Sequence, residues 1–302
     1  MRVSDPLPIR VLSHNIRYAT DAPFKGEEKW EIRRPNLINE LCFNTAHCAE
    51  SLVCLQEVLH RQLVDILAGL NSKKKAWDFV GIGRDDGIQA GEYSPILYRP
   101  GAWELKSHST KWLSKTPDRP SKNWDAASTR ILTIAVFQHR STGKTLVAMN
   151  THLDDQGSKS RLEAAKIIQE QIRVFADQGP QRRSLPVFLA GDFNSEPDQE
   201  AYKEMTSKES PMGDLELMLP EPQRYGDLNT FTGFDAESTR PKRIDFIFIN
   251  KDDASPAGGR EAQNDVADKW WIVDGYAVLP NRFEDEVYNS DHRVVVGDLS
   301  II

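Results

Sequence analysis

Short apolar runs recur along this chain, and many of them end in a cluster of Asn, Asp, Glu or His. The runs at Ile9–Ser13, Leu52–Gln56, Trp77–Gly81, Pro95–Arg99, Arg130–Gln138, Thr145–Thr151, Pro186–Ala190, Ile244–Asn250, Trp271–Val278 and Arg293–Val296 read as strands. Most are short and bounded by turn residues. Helical spacing appears between them at about Glu28–Phe43, where Pro35 belongs to the first turns or marks a break. It appears again at about Arg61–Leu70 and from about Ser160 to Asp177. In the last of these, Ser160 and Glu163 fit a capping box and Gly179–Pro180 a stop. Many strands with few helices indicate an α/β sandwich rather than a strictly alternating barrel. No internal repeat or long low-complexity linker interrupts the pattern. One domain over residues 1–302 is therefore expected, with the polar stretch 250–269 as a surface loop.

The strand ends carry the chemistry. "LPVFLAGDFNSEP" runs from buried apolar residues through Gly191 into Asp192 and Asn194. "VLSHNI" ends on Asn15, "LVCLQEV" on Glu57, and "LVAMNTHLDD" on Asn150, His152 and Asp154. "RIDFIFIN" embeds Asp245 in an apolar strand, and "NSDHRVVVGDL" sets Asp291 and His292 before one. Each has an ordinary explanation: Glu57 beginning a helix, Asp291 capping a turn, His152 satisfied in the core. Lone buried charges are costly, so a shared pocket is the economical explanation for all of them together. Carboxylates with an amide are hard ligands suited to Mg²⁺ or Mn²⁺, and two histidines suit a phosphoryl oxygen. That set fits metal-assisted hydrolysis at phosphorus.

Composition narrows this picture. The chain has 302 residues, 39% hydrophobic, with a formal charge of −7. No apolar run is long enough to cross a bilayer, and the first residues lack a signal peptide's apolar stretch. The compartment stays open: cytoplasmic, or secreted with a leader removed. The acidic balance disfavours a grip on long nucleic acid. The basic clusters Lys73–Lys75, Arg182–Arg183 and Lys242–Arg243 read as solvated loops. Of the three cysteines, Cys54 reads as a buried strand residue, and a Cys42–Cys48 disulfide is the less favoured alternative to free thiols.

In order, the blocks "SHNIRY", "LQEV", "GEYSPILYRP", "STRILTIAVF", "NTHLD", "GDFNSEP", "RIDFIFI" and "SDHRVVVGDL" resemble the endonuclease/exonuclease/phosphatase superfamily, the DNase I-like phosphodiesterases. "GRDDGIQAGEYSPILYR", "TKWLSKTP" and "WDAASTRILT" are similar to a subgroup of small stand-alone members. The resemblance implies a four-layer α/β/β/α sandwich of two packed mixed sheets with the site at one rim. It implies a metal at Glu57, supported by Asn15 and linked to Asp291, with one principal ion, Mg²⁺ or Mn²⁺. It further implies Asp192 on the attacking water, Asn194 and His292 on the phosphoryl group, and Asp245 holding His292. His152 corresponds to a second histidine with Glu92 as its carboxylate partner, so that both imidazoles favour the protonated form. Arg130 corresponds to a substrate-side arginine.

Arg17 stands where some superfamily members carry a carboxylate or amide, which argues for a single principal metal. It suits a phosphate contact or a surface salt bridge equally. Trp124, with Trp30, Trp112, Trp270 and Trp271, fits either a pocket wall or core packing. The expected substrate is a small phosphodiester, a phosphomonoester or a short oligonucleotide. Nuclease action is the main alternative, a non-catalytic phosphate-binding module a lesser one, and a monomer is expected.

Overall fold

The computed structural model describes residues 5–176, 185–235, 237–251 and 270–302. In chain order the elements are β1 (Leu7–Asn15), α1 (Trp30–Thr45), β2 (Leu52–Gln56), α2 (His60–Leu70), β3 (Asp78–Val80), β4 (Ile96–Tyr98) and β5 (Trp103–Trp112). There follow β6 (Ile131–His139), β7 (Thr145–His152), α3 (Ser158–Ala176), β8 (Val187–Asp192), α4 (Glu200–Thr206) and β9 (Met212–Asp214). The last strands are β10 (Arg224–Gly226), β11 (Asp245–Asn250), β12 (Trp271–Val278) and β13 (Val295–Ile301).

Two sheets form, ordered β10-β12-β13-β1-β2-β4-β3 and β5-β6-β7-β8-β11-β9. Both are mixed: β1 pairs parallel with β2 and antiparallel with β13, and β7 runs parallel to β8. Every residue of β2, β4, β8 and β11 is buried. Strands covered on both faces need continuous apolar runs rather than alternation, which is what their sequences supply.

Three apolar layers account for the stack. Val11, Cys54, Phe137, Phe188, Ile247 and Leu299 fill the space between the sheets. Ile168 and Ile172 of α3 and Met205 of α4 pack on the outer face of the six-stranded sheet. Leu37 and Leu41 of α1 and Leu63 and Ile66 of α2 cover the seven-stranded one. The four-layer α/β/β/α sandwich is therefore present. No described helix is long and apolar enough to cross a membrane. Cys42, Cys48 and Cys54 are free thiols.

Several local expectations change. Strand β5 escaped the apolar pattern because "WELKSHSTKW" exposes its middle and buries only its two tryptophans. The short α4, β9 and β10 escaped as well. Pro35 lies in the second turn of α1, within the first turns as expected, and does not break the helix. Helix α3 starts at Ser158, so Ser160 is not its cap. The carboxylate of Asp125, from a distant loop, accepts the backbone N–H of Lys159 and Ser160 at 3.1 and 2.7 Å instead. Gly191 does not turn the chain: it is a strand residue, and a Cβ there would sit 2.4 Å from the Thr151 carbonyl of β7. Arg243 is no solvated loop residue. It is buried, with one guanidinium nitrogen 2.7 Å from both Asp214 and Glu216. Gly179–Pro180, Arg182–Arg183 and the 250–269 loop from 252 onward lie outside the described residues.

One buried pair makes a pH-dependent prediction. His14 Nδ1 lies 3.6 Å from Glu40 Oε2 between β1 and α1. Burial pushes the Glu40 carboxyl up to about 8 and the His14 imidazole down to about 4, so both are neutral near pH 7. For Glu40, the unfolded carboxyl, near 4.5, releases its proton before the folded one does. Its contribution to stability is therefore full below pH 4.5 and is lost as pH rises to about 8. Glu40→Gln is expected to stabilise the protein above pH 8 by on the order of a few kcal/mol relative to its effect at pH 4.5. Urea unfolding at the two pH values checks this, and an equal effect at both would refute it.

Candidate functional site

The ends of β1, β2, β7, β8 and β11 bring Asn15, Gln56, His152, Asp192 and Asp245 to one rim. Register sets this directly: Asn15 pairs with Gln56, His152 with Asp192, and Asp192 with Asp245. The residues that follow the strands complete the rim: Glu57 after β2, Asn194 after β8, and Asp291–His292 before β13. Glu92 enters from the β3–β4 connection. Two named candidates serve the frame instead: Asn150 is buried on Gln56 and the carbonyls of Leu55 and Pro95, and Asp154 accepts backbone N–H groups of Ala127, Ser128, Gln156 and Gly157.

Asn15 is the organiser. Its Nδ2 donates to Glu57 Oε1 and Asp192 Oδ2, both at 2.9 Å. Its Oδ1 accepts the backbone N–H of Arg17 at 2.9 Å. An amide engaged on both ends orients the two carboxylates, which is the supporting place expected of Asn15. Glu57 Oε2 accepts the Tyr18 backbone N–H at 3.1 Å, which leaves both carboxylate oxygens with free lone pairs directed to the rim.

His292 donates from Nδ1 to Asp245 Oδ2 at 2.9 Å, and its Nε2 lies 3.7 Å from Asp192 Oδ2. The Asp245 amide N–H is itself fixed by Thr230 Oγ1 at 3.0 Å. Burial disfavours the charged ring, yet Asp245 and Asp192 outweigh it and push the imidazole up to about 10. The expected Asp245–His292 dyad is therefore formed, and its ring is cationic.

The Glu92–His152 dyad is not formed. Glu92 makes a two-pronged salt bridge with Arg84, both bonds at 2.8 Å, and stays 3.7 Å from His152 Nδ1. On the other side of the ring, Asn194 Nδ2 donates to Leu153 O and to His152 Nε2, both at 3.0 Å. Both amide hydrogens are then used, so Nε2 must be the acceptor and Nδ1 carries the proton. Burial, Arg130 and Arg84 together hold this ring well below its ordinary value. His152 is neutral, where the sequence suggested a protonated histidine.

Arg17 is not a surface ion pair. It is buried, hydrogen-bonded through Nε to Glu27 at 3.2 Å and lying between the rings of Tyr18 and Phe24 at 4.1 and 4.7 Å. Its NH1 lies 3.8 Å from Glu57 Oε2, so a fixed positive charge faces the Glu57 carboxylate. Arg130 donates to Asp155 at 2.8 Å, while its Nε and NH1 have no hydrogen-bond partner. Trp30, Trp112 and Trp271 are core residues. Trp124 is only partly buried and holds a left-handed φ of 56°.

Backbone strain concentrates here. Among the described residues five non-glycine positions have positive φ, and three of them, Arg17, Glu57 and Asn194, belong to this rim. Such conformations cost about 1–3 kcal/mol each and persist only where surroundings impose them. The imposing contacts are visible for Asn194, whose backbone N–H is held by Asp192 Oδ1 at 2.9 Å. Sequence reasoning missed Arg84, which sits in the "GRDDG" turn and is the true partner of Glu92. It also missed Ser290, whose Oγ donates to Asn15 O at 2.6 Å, and Phe231, whose ring lies 4.9 Å from that of His292.

A divalent cation suits two places to different degrees. Asp192, Asp245 and His292 each bring one donor atom within 4.8 Å of the others. That convergence is already explained by an imidazolium between two carboxylates, and its charge opposes a metal. At Glu57 and Asp291 the donors are all oxygen. The Asp291 carboxyl is pushed up by burial and by the Glu57 carboxylate, a repulsion that a divalent cation removes. The donor set at Glu57 and Asp291 therefore fits the ion, while that at His292 does not.

Comparison with known proteins gives a family and its relatives. A model described as "Endonuclease/Exonuclease/phosphatase family" matches residues 35–265. The uncharacterised protein L388 of Acanthamoeba polyphaga mimivirus is 26% identical over 194 residues, 62% of this chain and 68% of its own length. Two longer curated relatives are spanned over only 39% and 29% of their lengths. Among solved structures, an endonuclease/exonuclease/phosphatase from Bacteroides vulgatus is 30% identical with a TM-score of 0.78. The match covers 98% of this chain and 99% of that one. A mannosyl-6-phosphatase of Bacteroides thetaiotaomicron is 29% identical with a TM-score of 0.77, over 96% of this chain and 99% of its own.

Proposed function

The chain belongs to the endonuclease/exonuclease/phosphatase family, and from that premise we propose that it hydrolyses small phosphoric esters with one divalent cation, Mg²⁺ or Mn²⁺. The observation that carries the reading is the single amide, Asn15, holding Glu57 and Asp192 at 2.9 Å beside the cationic His292. An anionic base, a metal-type carboxylate and a positive donor then face one point, as in-line hydrolysis at phosphorus requires.

In this proposal Glu57 and Asp291 would hold the ion, which when bound polarises a phosphoryl oxygen. Asp192 orients the water and takes its proton as the water oxygen attacks phosphorus; the ester P–O bond opposite breaks, and the departing oxygen leaves as the alcohol with a proton from solvent. Its carboxyl is raised towards neutrality by burial and by Asp245, which suits a base working near pH 7. His292, held by Asp245, donates from Nε2 to the phosphoryl group, and its charge offsets the negative charge that develops. Asn194 and the neutral His152 hold each other in the resting site. A phosphoryl oxygen that accepts from Asn194 Nδ2 frees His152 Nε2. The partly exposed Trp124 is the proposed contact to the rest of the substrate, and Arg130, held among Asp155, Asp154 and Glu92, supplies a fixed positive charge behind it.

A small ester is favoured over duplex DNA because the rim arginines are already paired: Arg17 with Glu27, Arg84 with Glu92, and Arg130 with Asp155. They leave no free basic strip for successive phosphates. A phosphomonoester on a sugar is the first substrate to try, given the mannosyl-6-phosphatase among the similar structures.

The test is a panel of sugar phosphates, a generic phosphodiester, single- and double-stranded nucleic acid and cyclic nucleotides, each with Mg²⁺ or Mn²⁺. Hydrolysis of the small esters is expected to stop on chelation and return with either ion. Activity that survives thorough chelation would remove the metal. Processive digestion of plasmid at low enzyme concentration would replace the small ester with a nucleic acid.

A further inference from the structure

A second feature of the molecule runs along α1, from Arg10 near the start of β1 to Glu40, whose carboxyl lies 3.6 Å from His14. Two cavities, of about 580 and 560 Å³, flank the C-terminal half of α1 and share Phe43 and Asn44 in their walls. They form one groove, and Arg10 in its wall is five residues, roughly 17 Å along a strand, from Asn15.

Three aromatic side chains stand open in this groove: Phe43 is 82% exposed, Tyr225 71% and Phe283 51%. Large apolar side chains gathered in one concave surface mark an interaction site rather than ordinary surface. The charges in the walls have one dominant sign. Among the described residues Glu40, Glu50, Asp274, Asp285 and Asp298 stand against Arg10 and His47. Glu40 is neutral near pH 7, Glu50 lies 3.5 Å from His139 Nε2, and Arg10 is held by Asp298 at 2.6 Å, which leaves Asp274 and Asp285 without a cationic partner among them. Among the described residues Asp274 bonds the Ser300 hydroxyl, and Asp285 the Asn36 amide and the Val287 backbone N–H. Phosphate, nucleic acid and acidic partners are disfavoured here by Coulomb repulsion.

The backbone adds a further donor set. Tyr225 lies on β10, an end strand of the seven-stranded sheet, whose sheet neighbour among the described residues is β12. An outer strand can pair with an added extended segment. We propose that this groove docks an extended, basic segment of a partner protein, with lysine or arginine side chains over Phe43, Tyr225 and Phe283 and apolar side chains between them. Aromatic faces attract cations, the carboxylates add charge, and the free edge of β10 supplies main-chain bonds.

Fluorescent octapeptides test this on the full chain: one alternating lysine with leucine, one alternating glutamate with leucine. Binding is read by anisotropy at low and moderate salt. The basic peptide is expected to bind and to weaken as salt rises, while the acidic one does not bind. The double variant Phe43→Ser, Phe283→Ser should weaken that binding at least tenfold, with hydrolysis of a small ester unchanged. Glu57→Gln should bind the peptide as the parent does, which separates this docking from the phosphoester reaction. Equal binding of both peptides, or full binding by the double variant, would overturn the proposal. So would a concentration-dependent dimer that the double variant abolishes, since the groove would then belong to a second copy of the chain.

Discussion

Glu57→Gln and Asp192→Asn are each expected to lower turnover of the best phosphoester by about a thousandfold, the scale of losing several kcal/mol of transition-state stabilisation. The two variants should differ in every other respect. Glu57→Gln should weaken Mn²⁺ binding in calorimetry, because its carboxylate faces the open rim with free lone pairs. Asp192→Asn should leave metal affinity nearly unchanged and the fold at least as stable. Asp192 is buried, and its carboxyl is raised by that burial and by Asp245. An amide there removes a like-charge repulsion, the usual exchange of activity for stability at a strained site. Wild-type turnover by either variant would sink the assignment, and so would loss of folding in Glu57→Gln.

Arg243→Met should be the most destabilising single change outside the site. One guanidinium nitrogen of Arg243 serves Asp214 at 2.9 and 2.7 Å and Glu216 at 2.7 Å, and its plane lies over Phe246 at 4.6 Å. Removing one partner of a buried ion network leaves the others uncompensated, at a cost of about 3–5 kcal/mol. Asp214 keeps Tyr202 and Glu216 keeps Arg224, each at 2.8 Å, so the lower half of that range is expected. Chemical denaturation should show the midpoint fall without a change of slope. A loss under about 1 kcal/mol would show the network to be worth no more than a surface ion pair.

Burial on both faces demands continuous apolar runs, and β2, buried throughout, emerged with both ends as expected; so did β12, although it is partly exposed. Strand β5 was not legible, since its exposed middle removes the apolar signal. The cap of α3 was misread for a different reason: Asp125 lies 35 residues before Ser160, beyond any local motif. The site divides in the same way. Residue types and their places at strand ends identified Asn15, Glu57, His152, Asp192, Asn194, Asp245, Asp291 and His292. The pairing of Glu92 with Arg84 was hidden, because a carboxylate near both a histidine and an arginine is claimed by whichever geometry allows two bonds.

By itself, the sequence determined the strand periods, the order of the polar strand ends and the family they match, all set by local chemistry and spacing. Tertiary structure decided which donor meets which acceptor. His292 is cationic because Asp245 and Asp192 both reach it, and His152 is neutral because Asn194 occupies its Nε2 while two arginines stand behind it. Protonation follows from distances of a few ångströms and from burial, and neither is written in the spacing of residues along a chain.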